Sequence, residues 1–328
     1  MSDAVSNAVS NDRYLWLENV DGDDALEWVR DWNERTEAEW FTRAEFERHR
    51  ASTLEILEAD DRIDMPTRHG DRVHNFWTDA DHRRGLLRRA SWDDYRSGDP
   101  EWETVLDVDA LCDAERESWV FHGAQIRRPD RCRTLIDLSP GGSDASVTRE
   151  FDLVERRFVP ADEGGFVRPL AKGGLTWIDE DSVYVTSDFG PGSLTRSGYP
   201  RTVRRWTRGT SIDDAEIVFE GEESDVAVAV SVSSVPGHQH HVFERAPEFF
   251  TTRTSILVDG VPVELDLPDD ARVSVFERWL FVSPRSSFEH QGERRPAGSL
   301  LVAPLAGFLD GAARFEALFT PSPTQALG

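Results

Sequence analysis

From Val73 onward, short runs of alternating apolar and polar residues are separated by Gly, Asp, Asn and Pro, the pattern of half-buried strands joined by tight turns. The runs fall into five groups that recur at roughly 45–55 residues. Val73–Asp79, Gly85–Trp92 and Trp102–Asp107 form the first, and Val120–Ile126, Arg133–Leu138 and Val147–Val159 the second. Leu175–Ser187, Thr202–Thr207 and Ala215–Glu220 form the third. Val226–Val235, His241–Phe250, Ser255–Val258 and Val261–Leu267 form the fourth, and Val273–Pro284, Ser299–Pro304 and Ala313–Thr320 the fifth. Three or four short strands per unit at this period predict propeller blades, because the competing architecture, a large β-sandwich, has no need to repeat.

The segment before the repeat is different in kind. A polar stretch predicts a disordered tail over residues 1–12, without the apolar core of a signal peptide. Residues 13–70 predict a helical segment and linker. Ala25, Trp28, Val29 and Trp32 share one helical face, with Asp23 or Asp24 placed to cap it. Phe41, Phe46, Leu54, Ile56 and Leu57 extend helical spacing to about Glu58, and Asp60–Gly70, rich in Asp and Arg with Pro66, reads as the linker. The propeller is then expected over residues 71–328.

Charge narrows the function. With 62 acidic and 37 basic residues the net charge is −25. A phosphate-binding face needs a Lys/Arg excess, so neither nucleic acid nor an anionic membrane surface is an expected partner. The acids are scattered, which reads as a solvated acidic surface. Lys172 is the single lysine, and the Arg-rich, acidic bias fits either a GC-rich genome or adaptation to salt. Cys112 and Cys132 form neither a metal-ligand pattern nor a disulfide framework and read as reduced thiols. No run approaches the ~20 apolar residues of a membrane span, so a cytoplasmic protein is expected.

Several motifs carry a specific resemblance. Tyr14-Leu-Trp-Leu-Glu18, Ala25-Leu-Glu-Trp-Val29 and Asn33 come first, then Ser139-Pro-Gly-Gly-Ser-Asp-Ala145 with Arg149-Glu-Phe-Asp152. Glu163-Gly-Gly-Phe166, Ala171-Lys-Gly173, Trp177 and the long Gly/Pro segment Asp188–Thr210 continue it, as do His240-His-Val-Phe-Glu-Arg-Ala246 and Phe249-Phe-Thr251. From about residue 13 the chain resembles the prolyl oligopeptidase family of serine peptidases. That resemblance implies an N-terminal helical segment and a propeller of seven blades covering an α/β-hydrolase domain. It also implies a Ser/Asp/His triad located after the propeller, and N-terminal helices that pack on the hydrolase domain. Five blades are legible here, so the reading is mainly β: a partial propeller of about five blades, with the hydrolase domain absent and no position onto which the triad can be carried.

Four tempting groups remain. Gly141-Gly-Ser143-Asp-Ala145 imitates a nucleophile elbow, but Ala145 breaks the motif and a strand pattern follows where a helix is required. It reads as a blade turn, so no catalytic residue is expected. His238, His240 and His241 are dense, but adjacent residues on a strand face opposite ways, and no metal or cofactor is expected. Gly190-Pro-Gly192 lacks the pattern of a phosphate loop. Arg149, Glu150, Asp188, Arg196 and Tyr199 are candidates either for steering charged peptides at the propeller pore or for pairing between strands and blades.

The function expected is the gating, substrate-excluding propeller portion of a prolyl oligopeptidase-like peptidase acting on short peptides, inactive alone. The alternative is a stand-alone propeller module that binds a peptide or protein. Open blade faces would invite self-association and low stability.

Overall fold

Five antiparallel sheets, each with its four main strands in chain order, account for the repeat. Blade 1 comprises β1 (Thr67–His69), β2 (Arg72–Trp77), β3 (Leu86–Ser91) and β4 (Glu103–Asp107). Blade 2 comprises β5 (Trp119–Ile126), β6 (Arg133–Pro140), β7 (Ser146–Asp152) and β8 (Arg157–Phe158), and β9 (Val167–Ala171) also pairs with β7. Blade 3 is β10 (Gly174–Trp177), β11 (Ser182–Thr186), β12 (Thr202–Thr207) and β13 (Glu216–Glu220). Blade 4 is β14 (Ala227–Val235), β15 (His238–Ala246), β16 (Arg253–Val258) and β17 (Val261–Glu264). Blade 5 is β18 (Arg272–Phe276), β19 (Trp279–Ser283), β22 (Leu300–Pro304) and β23 (Glu316–Phe319); the hairpin of β20 (Phe288–His290) and β21 (Glu293–Arg295) lies between β19 and β22. The fold is the mainly β, five-bladed partial propeller that the repeat predicts. The computed structural model describes residues 12–41, 43–63 and 65–327, so the predicted tail, Asp12 apart, lies outside the described residues.

Alternation on the strands builds the core between blades rather than inside them. Leu87, Leu106, Ile136 and Leu138 form one buried cluster between blades 1 and 2. Leu135 and Phe166 meet Val183 and Trp206 between blades 2 and 3. Tyr184 and Val203 meet Val228 and Phe243 between blades 3 and 4, and Ile256 and Leu265 join Leu280, Val282 and Leu301 between blades 4 and 5. Leu135 and Ile136 are neighbours on β6 yet enter different clusters, as the two-residue period of a strand buried on both faces requires. Five blades thus share four cores, and among the described residues no fifth cluster joins blade 5 to blade 1.

The chain divides into two compact units, Met1–Ile63 with Thr78–Arg83, and Asp64–Trp77 with Arg84–Gly328. The first contains α1 (Asp23–Thr36) and α2 (Ala44–Leu57). Gly22, not Asp23 or Asp24, is the N-cap of α1, and no side chain caps it; the two aspartates occupy its first turn, where they favour the positive end of the helix dipole. Trp28 packs edge-on against Trp16 at 6.2 Å and Trp32 at 5.8 Å. The second unit also holds the short helices α3 (Trp92–Ser97), α4 (Val108–Glu115) and α5 (Leu305–Leu309) in connections of blades 1, 2 and 5. No helix among the described residues is long and apolar enough to cross a membrane.

Candidate functional site

Each sheet begins with a strand that has one neighbour only, and these five first strands contribute to a single cavity of about 360 Å³. Its lining draws His69 from β1, Ala124–Ile126 from β5, Thr176 and Trp177 from β10, Val232–Val235 from β14 and Phe276 from β18. All lie at or near the C-terminal ends of their strands, so the turns to the second strands rim the cavity. The rim is tied together by hydrogen bonds between blades. The Trp177 amide and indole N–H donate to Gln125 Oε1 and to its carbonyl, each at 2.9 Å. Gln239 Nε2 donates to the Ile178 carbonyl at 2.7 Å, and the Arg128 guanidinium donates to the Ser234 carbonyl at 3.0 Å. A neighbouring recess of about 700 Å³ shares Arg128, Ile178 and Gln239 and extends over Asp130, Asp179 and Glu180.

Electrostatics sets this cavity apart from the rest of the chain. No carboxylate lines it; His69 and Arg128 are its ionisable groups. Burial, with the charges of Arg128 and Arg131, pushes the His69 pKa down. Beside it His74, 9% exposed and 5.4 Å away ring to ring, is pushed down to about 4 by burial and then by His69, Arg89 and Arg72. Neither ring nitrogen of His74 has a hydrogen-bond partner, which suits a neutral imidazole held out of solvent beside cationic groups.

None of the five residues selected from the sequence lines this cavity. Arg149 makes a two-pronged ion pair with Glu115 (2.8 and 3.2 Å) and covers the Phe158 ring. Glu150, 1% exposed, accepts from the Phe166 amide and pairs with Arg208 at 2.8 Å, joining blade 2 to the turn after β12. Asp188 Oδ1 accepts from the Gly190 amide and the Ser193 hydroxyl and so folds the β11–β12 turn, where Gly190, Gly192 and Gly198 all have positive φ that a side chain would strain. Tyr199 donates to Asp144 at 2.6 Å in the β6–β7 turn, and Lys172 pairs with the same carboxylate while standing over the Tyr199 ring. Arg196 is exposed beside Glu223. The Asp188–Arg201 part of the motif therefore organises the turn between second and third strands, at the opposite end of the blades from the cavity rim, while Arg208, after β12, lies at the rim end and donates to the Glu180 carbonyl.

The remaining sequence features take ordinary places. Ser143 donates to the Ala145 carbonyl within a turn. His241 bonds the Tyr184 hydroxyl at 2.8 Å in the direction of blade 3, whereas His240 reaches the Glu277 carbonyl after β18, so the two point apart as alternation requires. Ser139, the first residue of the Ser139–Ala145 motif, sits 2.8 Å from His122, but Ser139 is fully buried and no substrate carbonyl could reach it. The residues that sequence reasoning missed are His69 and Arg128. One signal was available for Arg128: Arg127-Arg-Pro-Asp-Arg131 is a dense knot of cations in an acidic chain.

Comparison with known proteins gives a consistent picture. Residues 1–237 match the prolyl oligopeptidase N-terminal beta-propeller domain. The chain is 36% identical over 335 aligned positions to the uncharacterized peptidase y4nA of Sinorhizobium fredii, covering 97% of this chain and 45% of that protein. It is 26% identical to the uncharacterized peptidase RP174 of Rickettsia prowazekii, covering 94% and 45%. Among solved structures, a post-proline cleaving enzyme from Rickettsia typhi superposes with a TM-score of 0.85 at 25% identity, over 94% of this chain and 47% of that one. Oligopeptidase B from Leishmania major shares the fold, with a TM-score of 0.68 at 13% identity over 95% and 42%. The chain spans about half the length of the relatives it matches.

Proposed function

From the premise that the chain belongs to the prolyl oligopeptidase family, of which it carries the N-terminal β-propeller, we propose that it is the gating portion of a serine peptidase that cleaves short peptides. The observation that carries this reading is the cavity framed by the first strands of all five blades. Its size lies within the ordinary range of small-molecule and peptide sites, and its rim is braced by hydrogen bonds between blades. Such an opening suits an extended peptide and turns away a folded protein. The chemistry belongs to a hydrolase half with an activated serine and an oxyanion hole, for which this propeller limits access. Free Cys112 and Cys132 fit a reducing, cytoplasmic setting.

The test is a fusion of this chain to the C-terminal half of the Sinorhizobium fredii relative. The fusion is expected to cleave a proline anilide and a short proline-containing peptide, and to spare an unfolded chain of domain length. This chain alone is expected to turn over neither small substrate. Turnover of the anilide by the chain alone, or equal cleavage of short and long chains by the fusion, refutes the reading.

A further inference from the structure

We propose that the cavity at the first-strand turns is a receptor for the C-terminal carboxylate of a peptide, with Arg128 as the residue that recognises it. The inference rests on the peptide reading above and adds which end of the peptide this face receives.

Three observations carry it. The first is charge. A chain with net charge −25 has placed no carboxylate in this cavity. Arg128 is exposed at its rim, held by one hydrogen bond to the Ser234 carbonyl, and among the described residues no carboxylate forms an ion pair with it. Its neighbour Arg127 differs: that guanidinium is engaged by Asp130. Of the three carboxylates of the adjoining recess, Asp130 is in use with Arg127 and Asp179 with the Ser182 hydroxyl and Asp181 amide, and the charge of Glu180 acts on Arg127. An arginine with unused donors is suited to a planar, two-oxygen anion.

The second is the shape of the lining. Ile126, Trp177, Ile178 and Phe276 give the cavity apolar walls, which lower the local dielectric and strengthen the attraction of a guanidinium for a carboxylate.

The third is backbone. β14 pairs with β15 alone, so along Val232–Val235 the edge facing the cavity lacks a partner strand. Unpaired N–H and C=O groups on a strand edge are what an extended peptide backbone can pair with. A free phosphate or acetate would use the arginine and leave this edge unused. A peptide ending in a carboxylate uses both.

Calorimetric titration of the full chain tests this with three versions of one short peptide blocked at its N-terminus: a free acid without acidic side chains, its C-terminal amide, and an amide carrying one glutamate. The free acid is expected to bind about tenfold more tightly than the plain amide. Arg128→Gln should abolish that difference and Arg128→Lys should keep part of it. Circular dichroism would confirm that both variants are folded, as expected for an exposed side chain. Equal binding of acid and amide, or no binding of any peptide, overturns the proposal. A glutamate amide that binds as tightly as the free acid overturns the C-terminal assignment in favour of acidic side chains. The gating role is judged separately: a fusion that spares long chains, with Arg128→Gln changing neither its acid nor its amide substrates, leaves gating standing and sinks this inference.

Discussion

The helical unit and the blades use the same aromatic residues to opposite effect. In the blades Trp177 and Trp206 are 6% and 7% exposed and sit in a core shared by two sheets. In the helical unit Trp28 and Trp32 are 37% and 49% exposed, and Ala25 is the sole buried apolar residue among those described there. An apolar helix stripe is as legible as an alternating strand, but it stabilises a fold only where something covers it. The blades cover one another; the tryptophans of α1 are braced mainly by other aromatics of the same segment. The stability of the blade unit should therefore be set by its inter-blade cores and nearly blind to the helical stripe.

The strongest attack on that contrast is a pair of truncations. Phe243 is fully buried between blades 3 and 4, against Tyr184 and Phe219. Phe243→Ala should cost about 4 kcal/mol, from lost burial plus the cavity left behind. Trp32→Ala removes a larger ring from an exposed site and should change the main urea transition by no more than about 0.5 kcal/mol. Comparable shifts in the two variants would break the comparison.

Ion pairs sharpen it next. Glu150 is buried with Arg208, and Glu150→Ala strands that guanidinium in a partly desolvated site, an expected loss of about 3 kcal/mol. On α2, Glu45 pairs with Arg48 in solvent at 3.4 Å, and Glu45→Ala should stay below about 0.5 kcal/mol. Urea midpoints measured at low and high salt separate the two, since the buried pair is screened far less.

Blade 1 should answer to acid. The folded pKa of His74, about 4, lies below its ordinary 6.5, so between those values the unfolded chain binds more protons than the native one. Stability is then intact above pH 6.5 and falls as pH drops toward 4, by up to about 3 kcal/mol. The groups facing His74 are His69, Arg72 and Arg89, all cationic or able to become so, and none offers its proton a counter-charge. His74→Phe should flatten this part of the pH profile; an unchanged slope would assign acid sensitivity to other groups.

How much of this could be read from residues alone follows from the range of the interactions. The five blades were legible because alternation and turn chemistry are local. β1 was not, since Thr67-Arg-His69 is polar and largely exposed and carries no alternation. The short helices α3 and α4 were also missed, although each has a side-chain cap: Ser91 accepts from the Asp94 amide, and Asp107 accepts from the Ala110 amide. Six and eight residues are too few for a helical period to declare itself. The cavity is least legible of all. His69, Gln125, Arg128, Trp177, Ser234 and Phe276 are brought together only by arranging five sheets around one axis. The conspicuous motif drew attention to Asp188, Arg196 and Tyr199 instead, because a long turn needs many specific residues merely to close.

An effect smaller than the losses at Phe243, Glu150 and His74 separates those two ends of the blades. Tyr199→Phe deletes one hydroxyl, leaving Lys172 as the polar partner of Asp144. The site is solvated, so the cost should be about 0.5–1 kcal/mol. The hydroxyl ties the β6–β7 turn to the β11–β12 turn, away from the cavity rim, so peptide affinity should stay unchanged while hydrogen exchange rises at the Thr195 and Arg201 amides that close the turn. An affinity loss matching that of Arg128→Gln would mean that the two ends of the blades are coupled, and that the turn motif shapes the cavity after all.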